Sequence, residues 1–590
     1  MEHQLQQDQR PPLNRLLVPV VLLFAVLVLR LFYLQVVTSA DYARESEENR
    51  IAQRRVKAPR GLIYDRDGRI LARTRPFYTV SLERTSQKDF DAATAAFTEA
   101  IGDSELDGKY SRKYRTIRLK RDVDFRTVSI VEERLKADWP LLDIEIETQR
   151  YYPYGTAAAH LLGYIGIIRD QDLQGKNDNA YVLGDFIGKT GIEKVYENSL
   201  RGRDGMLYVE IDAAGRTGRE FPERDQLPVP GESLHLTIDL EVQLAAERAL
   251  PDSLAGALVA LDPRTGAVLA LANKPTFDPN IFVSFQAQKE RRRVLQSATV
   301  LLNRALHGRY PPGSTLKMVS AIAALETGVT DTLSLFEPCY GALRVGRSTF
   351  RCHKRTGHGG LTLPGAIEVS CNVYFYHLAR LMSIETWHKY AAKFGFGQPT
   401  GIVHPGEAAG LLPSRQYYKE RGGWSFGHQL NLSIGQGAML VTPIQMARYV
   451  AAIANGGYLV TPYISGDPPP PQRIDGISSR TFAIVRKAMR RVVTSDTGTG
   501  RRARVDGVTI AAKTGTAQVP SRDDDAWMVA FAPYEKPAIV IAAVVEGGGS
   551  GGARVGPVVR EVVKAFCIQE GIIEPEVTEA DTLLANNGML

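Results

Sequence analysis

Between Leu16 and Val37 the chain is almost wholly apolar, broken only by Arg30 and Gln35. At about 1.5 Å per residue a helix of this length reaches roughly the 30 Å of a bilayer's hydrocarbon layer, and in lipid only a helix satisfies such a backbone by itself. Arg10 and Arg15 precede the run and a mixed charged stretch from Asp41 to Arg50 follows it. The positive-inside bias therefore predicts a cytoplasmic tail over residues 1–15, an anchor over 16–37 and the bulk of the chain outside. Thr38-Ser39-Ala40 is a weak signal-peptidase site, but the apolar run exceeds a usual signal core, so the anchor is expected to stay uncleaved. Arg30 is expected to snorkel to the interface or to face a partner in the membrane.

Beyond the anchor the composition is that of globular protein: hydrophobic residues make up 44% and charged residues 23% of 590, enough for two or three domains with sizeable cores. The net charge of +7 is too dilute over this length to argue for nucleic acid. No repeat is apparent. Short strand-like runs (Tyr78 to Leu82, Ile144 to Thr148) alternate with charged helical stretches such as Phe125 to Ala137. Pro228-Val-Pro-Gly231 marks a boundary between a unit over 38–230 and one over 231–570, with a loose acidic tail over 571–590. After it, Gly256 to Leu261 and Ala267 to Ala272 flank an Asp-Pro-Arg-Thr-Gly turn and predict a β-hairpin. Strands at Thr509 to Gln518, Ala526 to Ala532 and Ala538 to Val545, then a helix at Val558 to Cys567, predict a mixed sheet flanked by helices, an α+β arrangement.

Chemistry concentrates in three short elements. Tyr310-Pro-Pro-Gly313 precedes Ser314-Thr-Leu-Lys317, which opens an apolar stretch of helical period. Ser314 then sits on a helix's first turn, where backbone N–H groups favour developing negative charge, and Lys317 lies on the same face. A hydroxyl attacks poorly unless a base takes its proton, and a desolvated lysine near another cation is neutral enough to do so. Ser-x-x-Lys alone is a weak signal, but Ser370-Cys-Asn372 and Lys513-Thr-Gly-Thr516 follow it in order. That ordered trio is a signature of β-lactamases and penicillin-binding proteins. In it Ser370 relays a proton between Lys317 and the leaving nitrogen, Asn372 holds a substrate amide and Lys513 adds positive charge beside Ser370. Thr514, Gly515 and Thr516 form the substrate-binding strand, the Thr516 hydroxyl taking the substrate carboxylate, and the backbone N–H groups of Ser314 and Thr516 form the oxyanion hole.

Two decoys are set aside. Lys189-Thr-Gly191 precedes the nucleophile instead of following it, and Gly184 to Thr190 has one residue too few between its glycines for a phosphate-binding loop, so both are expected to be structural. Gly548-Gly-Ser550-Gly-Gly552 fits the nucleophile elbow of α/β-hydrolases, which needs a histidine downstream. The last histidine is His428, and the glycines are expected to be a flexible loop.

With these elements in place the chain resembles the class B penicillin-binding proteins, most closely the elongation type. The resemblance runs nearly end to end through Ala58-Pro-Arg-Gly-Leu-Ile-Tyr-Asp65, Arg150-Tyr-Tyr-Pro153, His160-Leu-Leu-Gly-Tyr164, Asp262-Pro-Arg-Thr-Gly266, Asn303-Arg-Ala305, Tyr310-Pro-Pro-Gly-Ser314, Gly435-Gln-Gly437 and Thr442-Pro-Ile-Gln445. It implies an elongated pedestal domain beneath a serine β-lactamase-like transpeptidase domain in the periplasm. It implies D,D-transpeptidation of peptidoglycan stem peptides through an acyl-enzyme on Ser314, acylation by β-lactams, and no cofactor for catalysis. It also implies a SEDS-type glycan polymerase and other rod-complex membrane proteins as partners, contacted through the anchor and the Ala58 to Ala72 region. A carboxypeptidase or β-lactam-hydrolysing relative and a catalytically silent scaffold are the alternatives. One departure is Cys371, where the trio has Asp.

Cys339, Cys352, His358 and Cys371 are spaced 13, 6 and 13 residues apart, with His353 as a spare ligand. Three thiolates and an imidazole suit a tetrahedral structural zinc, which would brace the Ser370-Cys-Asn372 turn. A Cys339–Cys352 disulfide and free buried cysteines are the other readings. Cys567, in an apolar helix, is expected in the core.

Overall fold

The computed structural model describes residues 13–39, 51–83, 86–103, 106–107, 116–173, 181, 185–211, 217–404, 406–520 and 522–575. Residues 1–12 of the expected cytoplasmic tail and 576–590 of the expected acidic tail lie outside them. Two compact units are present, one formed by Met1–Pro59 with Gly202–Gly231 and the other by Arg60–Arg201 with Glu232–Leu590.

In the first unit an α-helix over Leu13–Phe32 continues into a π-helical turn over Tyr33–Val37. Among the described residues Leu17–Val37 is the one helix long and apolar enough to cross a membrane, and none of it is buried. The Arg30 guanidinium lies 5.6 Å from the centroid of the Tyr33 ring, a cation–π contact near the end of the apolar run. Strands Ile51–Val56, Gly205–Ile211 and Thr217–Glu220 form an antiparallel sheet in that order.

In the second unit, strand Ile70–Glu83 pairs antiparallel with Thr116–Val123 on one edge and Leu142–Tyr151 on the other. Helix Gln87–Ile101, capped by Ser86, buries Phe90 and Phe97 against Val80, Leu82 and Leu119. The stretch expected as one helix over Phe125 to Ala137 is an α-turn (Phe125–Ile130) that widens into a π-helix (Val131–Leu135), with Asp124 accepting from the Thr127 N–H at its start.

Three of the sequence motifs meet at one buried carboxylate. Glu193 Oε2 accepts from Arg60 Nε at 2.6 Å, and Oε1 accepts from Arg150 Nε at 2.7 Å and from the Tyr152 hydroxyl at 3.1 Å. Arg60 also reaches Glu197 at 2.8 Å. Burial alone would raise the Glu193 pKa; the Arg150 and Arg60 guanidiniums overcome it and hold the carboxyl below its ordinary range. Gly163 has φ +74° and comes so close to Thr190 that a Cβ would stand 2.0 Å from the Thr190 carbonyl oxygen. The Lys189-Thr-Gly decoy is thus a packing element, and Lys189 pairs with Asp172 at 2.5 Å.

The rest of the second unit is built on a five-stranded antiparallel sheet. Its elements in chain order are α1 (Leu240–Ala249), β1 (Gly256–Leu261), β2 (Val268–Lys274), α2 (Lys317–Glu326), α3 (Asn372–Leu381), α4 (Pro443–Ala454), α5 (Ser479–Thr494), β3 (Ala511–Ala517), β4 (Asp525–Ala532), β5 (Ile539–Val545) and α6 (Gly556–Gln569). The sheet order is β2-β1-β5-β4-β3. Both faces are covered, which is why β4 and β5 read as continuous apolar runs rather than alternating ones. Trp527, Val529, Phe531 and Val544 face α2 and α4 in one core, while Met528, Ala530, Ile541 and Val545 face α1 and α6 in a second core that also holds Cys567. The expected hairpin and strands are present, and β3 is left as an edge.

Candidate active site

The edge strand β3 receives the Ser314 turn. Ser314 lies in a 3₁₀-turn over Gly313–Leu316 that leads into α2, rather than on the α-helix itself. In a 3₁₀-turn residues i and i+3 eclipse, so Lys317 stands directly beyond Ser314. Gly313 has φ +55° and its N–H donates to the Gly435 carbonyl at 2.9 Å, and a Cβ on Gly435 would stand 2.1 Å from the Gly313 oxygen. That approach accounts for the first glycine of Gly435-Gln-Gly437. On the other side, a Cβ on Gly515 would meet the Thr315 and Trp527 side chains at 3.0 Å, so the glycine of Lys-Thr-Gly lets the turn seat on the strand.

Lys317 is fully buried and its Nζ donates to the Ser370 carbonyl and to Asn372 Oδ1, each at 2.7 Å, with the Ser370 hydroxyl at 3.3 Å. Lys513, also fully buried, donates to the same hydroxyl at 2.8 Å and to the Thr514 carbonyl at 2.9 Å. Ser370 sits at φ +57°, a backbone conformation few non-glycine residues adopt, and so presents its carbonyl and hydroxyl to the same lysine. Burial lowers the Lys317 pKa to about 8, against an opposing pull from the nearby thiols. Burial, then the charge of Lys317, pushes Lys513 well below the ordinary lysine range. The two short acceptors of Lys317 match the two N–H bonds of a neutral amine and leave it a lone pair.

Ser314 is half-buried and its hydroxyl makes no hydrogen bond among the described residues. Thr516 is exposed on the edge strand, whereas Thr514 is buried and shares a hydrogen bond with the Thr499 hydroxyl at 2.7 Å. The structure therefore links Asn372, Lys317, Ser370 and Lys513 in one chain of hydrogen bonds, with Ser314 on the adjoining turn.

The region over 256–564 matches the model of the penicillin-binding protein transpeptidase domain, and 55–236 matches the penicillin-binding protein dimerisation domain. The chain belongs to the penicillin-binding protein transpeptidase family. It is 34% identical to the peptidoglycan D,D-transpeptidase MrdA of Acinetobacter baumannii, over 93% of this chain and 87% of the relative. Among solved structures it resembles PBP2 of Helicobacter pylori, described in complex with MreC, with a TM-score of 0.74 and 28% identity over 89% of this chain and all of that one. It also resembles a chain from a peptidoglycan synthase complex, with a TM-score of 0.75 and 30% identity over 96% of this chain and all of that one.

The cysteines at the family's second motif form a second cluster beside the first. Ligand atoms of Cys339, Cys352, His358 and Cys371 all lie within 4.8 Å of one another, and all four cysteines of the chain are free thiols. The Cys339–Cys352 disulfide is therefore absent from this structure. The His358 Nδ1 is 3.5 Å from Cys352 Sγ and 3.7 Å from Cys339 Sγ, close to the ~3.5–3.8 Å edges of a tetrahedral Zn–S/N site. The Cys352 sulfur accepts from the Asn372 backbone N–H at 3.3 Å. The Cys371 thiol, first, and this N–H among others favour the Cys352 thiolate. The residues present thus fit a structural metal.

Sequence reasoning missed a loop. Glu368, buried at the end of the helix before Ser370, accepts from the Ser495 hydroxyl at 2.6 Å and from the Thr497 hydroxyl, and pairs with Arg491 at 2.5 Å. Thr499 of the same loop bonds Thr514, so Ser495 to Thr499 ties the second motif to the third. Its run of Thr and Gly was the available signal. The Gly548 to Gly552 segment is a packed turn rather than a flexible loop: Cβ atoms on Gly551 and Gly552 would stand 2.1 and 2.2 Å from the Trp527 and Thr499 carbonyl oxygens. Ser550 accepts from the Ala553 N–H at 3.4 Å as a helix cap.

Proposed function

We propose that this chain is a membrane-anchored serine D,D-transpeptidase that cross-links peptidoglycan stem peptides during cell elongation. The observation that carries the mechanism is one hydroxyl, Ser370, held between two buried lysines beside the Ser314 turn. Neutral Lys317 takes the Ser314 proton as its oxygen attacks the penultimate D-Ala carbonyl. The Ser314 and Thr516 N–H groups stabilise the oxyanion, and Ser370, kept polar by Lys513, passes the proton to the departing D-Ala amine. Asn372 holds the substrate amide, and Thr514, Gly515 and Thr516 supply the strand along which it lies. An amine from a neighbouring stem peptide then resolves the acyl-enzyme. β-Lactams acylate the same serine.

In this reading residues 16–37 anchor the chain in the cytoplasmic membrane, 38–230 form the pedestal, and 231–570 form the transpeptidase domain in the periplasm. The structural relatives described with MreC and in a peptidoglycan synthase complex support protein partners for this chain. Among these, a SEDS-type glycan polymerase would engage the anchor and the Ala58 to Ala72 region. The function is tested by giving the full-length enzyme a stem-peptide donor and an amine acceptor. Cross-linked dimer is expected as the main product; a hydrolysed donor alone would make this a carboxypeptidase, and no turnover a scaffold.

Cys339, Cys352, His358 and Cys371 would hold a structural zinc, whose charge would neutralise their thiolates and tie the second motif to the segment before it. Metal analysis of the purified protein is expected to find about one zinc per chain with the three thiols reduced. No zinc together with two oxidised cysteines would sink this assignment.

A further inference from the structure

The hairpin that joins Cys339 to Cys352 carries a charge pattern the transpeptidation mechanism does not use. From Pro338 to Ile367 there is no acidic residue, while Arg344, Arg347, Arg351, Lys354 and Arg355 fall in twelve consecutive positions. All five are exposed, and among the described residues none of them forms an ion pair, in a chain whose other surface charges pair widely.

The cations stand on a rigid footing. Strands Ala342–Val345 and Ser348–Arg351 pair antiparallel, with Leu343 and Phe350 packed inward and Arg344 and Arg351 on the opposite, exposed face. Two left-handed glycines close the base: a Cβ on Gly341 would stand 1.9 Å from the Arg355 oxygen, and one on Gly357 would stand 1.9 Å from the Cys339 oxygen. The base is fastened to the active site. Asn372 Nδ2 donates to the Arg351 carbonyl at 3.1 Å, and the Tyr376 hydroxyl donates to it at 3.4 Å. Asn372 thus stands directly beside the base of an exposed, cationic hairpin.

We infer that this hairpin is a subsite for carboxylates of the stem peptide, holding the part of the substrate that extends past Asn372. The inference rests on the transpeptidase reading above and adds to it a charge requirement. Exposed cations at this density raise local anion concentration and are screened by salt, so the effect falls on capture rather than on bond making.

The test uses the full-length enzyme and a pair of stem-peptide substrates, one with free side-chain carboxylates and one with them amidated. For the wild type, KM for the free-carboxylate substrate is expected to be lower and to rise with ionic strength, while the amidated substrate shows neither behaviour. In the triple variant Arg344→Gln, Arg347→Gln, Lys354→Gln, kcat/KM for the free-carboxylate substrate is expected to fall about five- to tenfold through KM, and that for the amidated substrate less than about twofold. Amidating donor and acceptor in turn assigns the strand that is read. Equal KM values for the two substrates in the wild type, or an equal loss on both in the variant, overturns the subsite alone. Wild-type enzyme that turns over neither substrate and takes up no labelled penicillin overturns the transpeptidase reading and the subsite with it.

Discussion

Replacing Ser314 by alanine is expected to abolish covalent labelling by penicillin and to lower cross-linking at least about 10⁴-fold, the scale at which an acyl-enzyme mechanism loses its nucleophile. The fold should survive, because the half-buried hydroxyl has no hydrogen-bond partner among the described residues to lose. Intact-mass analysis after incubation with penicillin reads the result directly, and a retained adduct would move the nucleophile elsewhere. The same assay run against pH examines the base. Lys317 must be neutral to accept the proton, and burial sets its pKa at about 8, so the acylation rate is expected to climb through that pH and level off above it. The stability contribution has the same sign. The unfolded chain holds this proton up to about pH 10.5 and the folded chain releases it near 8, so folding tightens between those values and gains nothing from this lysine below them. An acylation rate flat from pH 6 to 10 would remove Lys317 as the base.

The second large effect lies far from that chemistry in sequence. Glu193→Ala is expected to destabilise the second unit by about 3–5 kcal/mol, because it leaves the buried Arg150 without its carboxylate and Arg60 with Glu197 alone. Glu193→Gln restores the shape but not the charge and should recover only part of the loss. Thermal unfolding followed by circular dichroism, with penicillin labelling of the folded fraction, distinguishes the variants. The depressed Glu193 pKa adds a pH signature: its contribution is present above the ordinary glutamate range and disappears as pH falls through the lower folded value. If Glu193→Ala melted with the wild type, the meeting of these motifs at one carboxylate would have no energetic weight.

Legibility differed from element to element for identifiable reasons. The strands β1 to β5 could be read because a sheet covered on both faces needs uninterrupted apolar runs, and the Ser314, Ser370 and Lys513 motifs because their spacing and order are local properties of the chain. The Phe125 to Ala137 segment reads as a single helix because residue periodicity does not register the π-helical insertion at Val131–Leu135. Gly548 to Gly552 looked flexible because glycine signals freedom equally well when it is used for close approach, and only the Trp527 and Thr499 carbonyls beside it show which applies. Glu368 was invisible because its partners stand more than a hundred residues away and carry no charge in the case of Ser495 and Thr497.

What the sequence by itself determined is a helix long and apolar enough to span a membrane, the α+β class, the family and the three ordered motifs, since each depends on length, period or short-range order. What only the tertiary structure decided is how those residues act on one another. Ser370 stands between Lys317 and Lys513 because a left-handed backbone turns its carbonyl and hydroxyl toward one lysine while the edge strand delivers the other. Glu193 gathers Arg60 and Arg150, and Cys371 is brought to Cys339, Cys352 and His358, for the same reason: burial drives distant segments together, and buried charge and thiol groups must then find partners within a few ångströms.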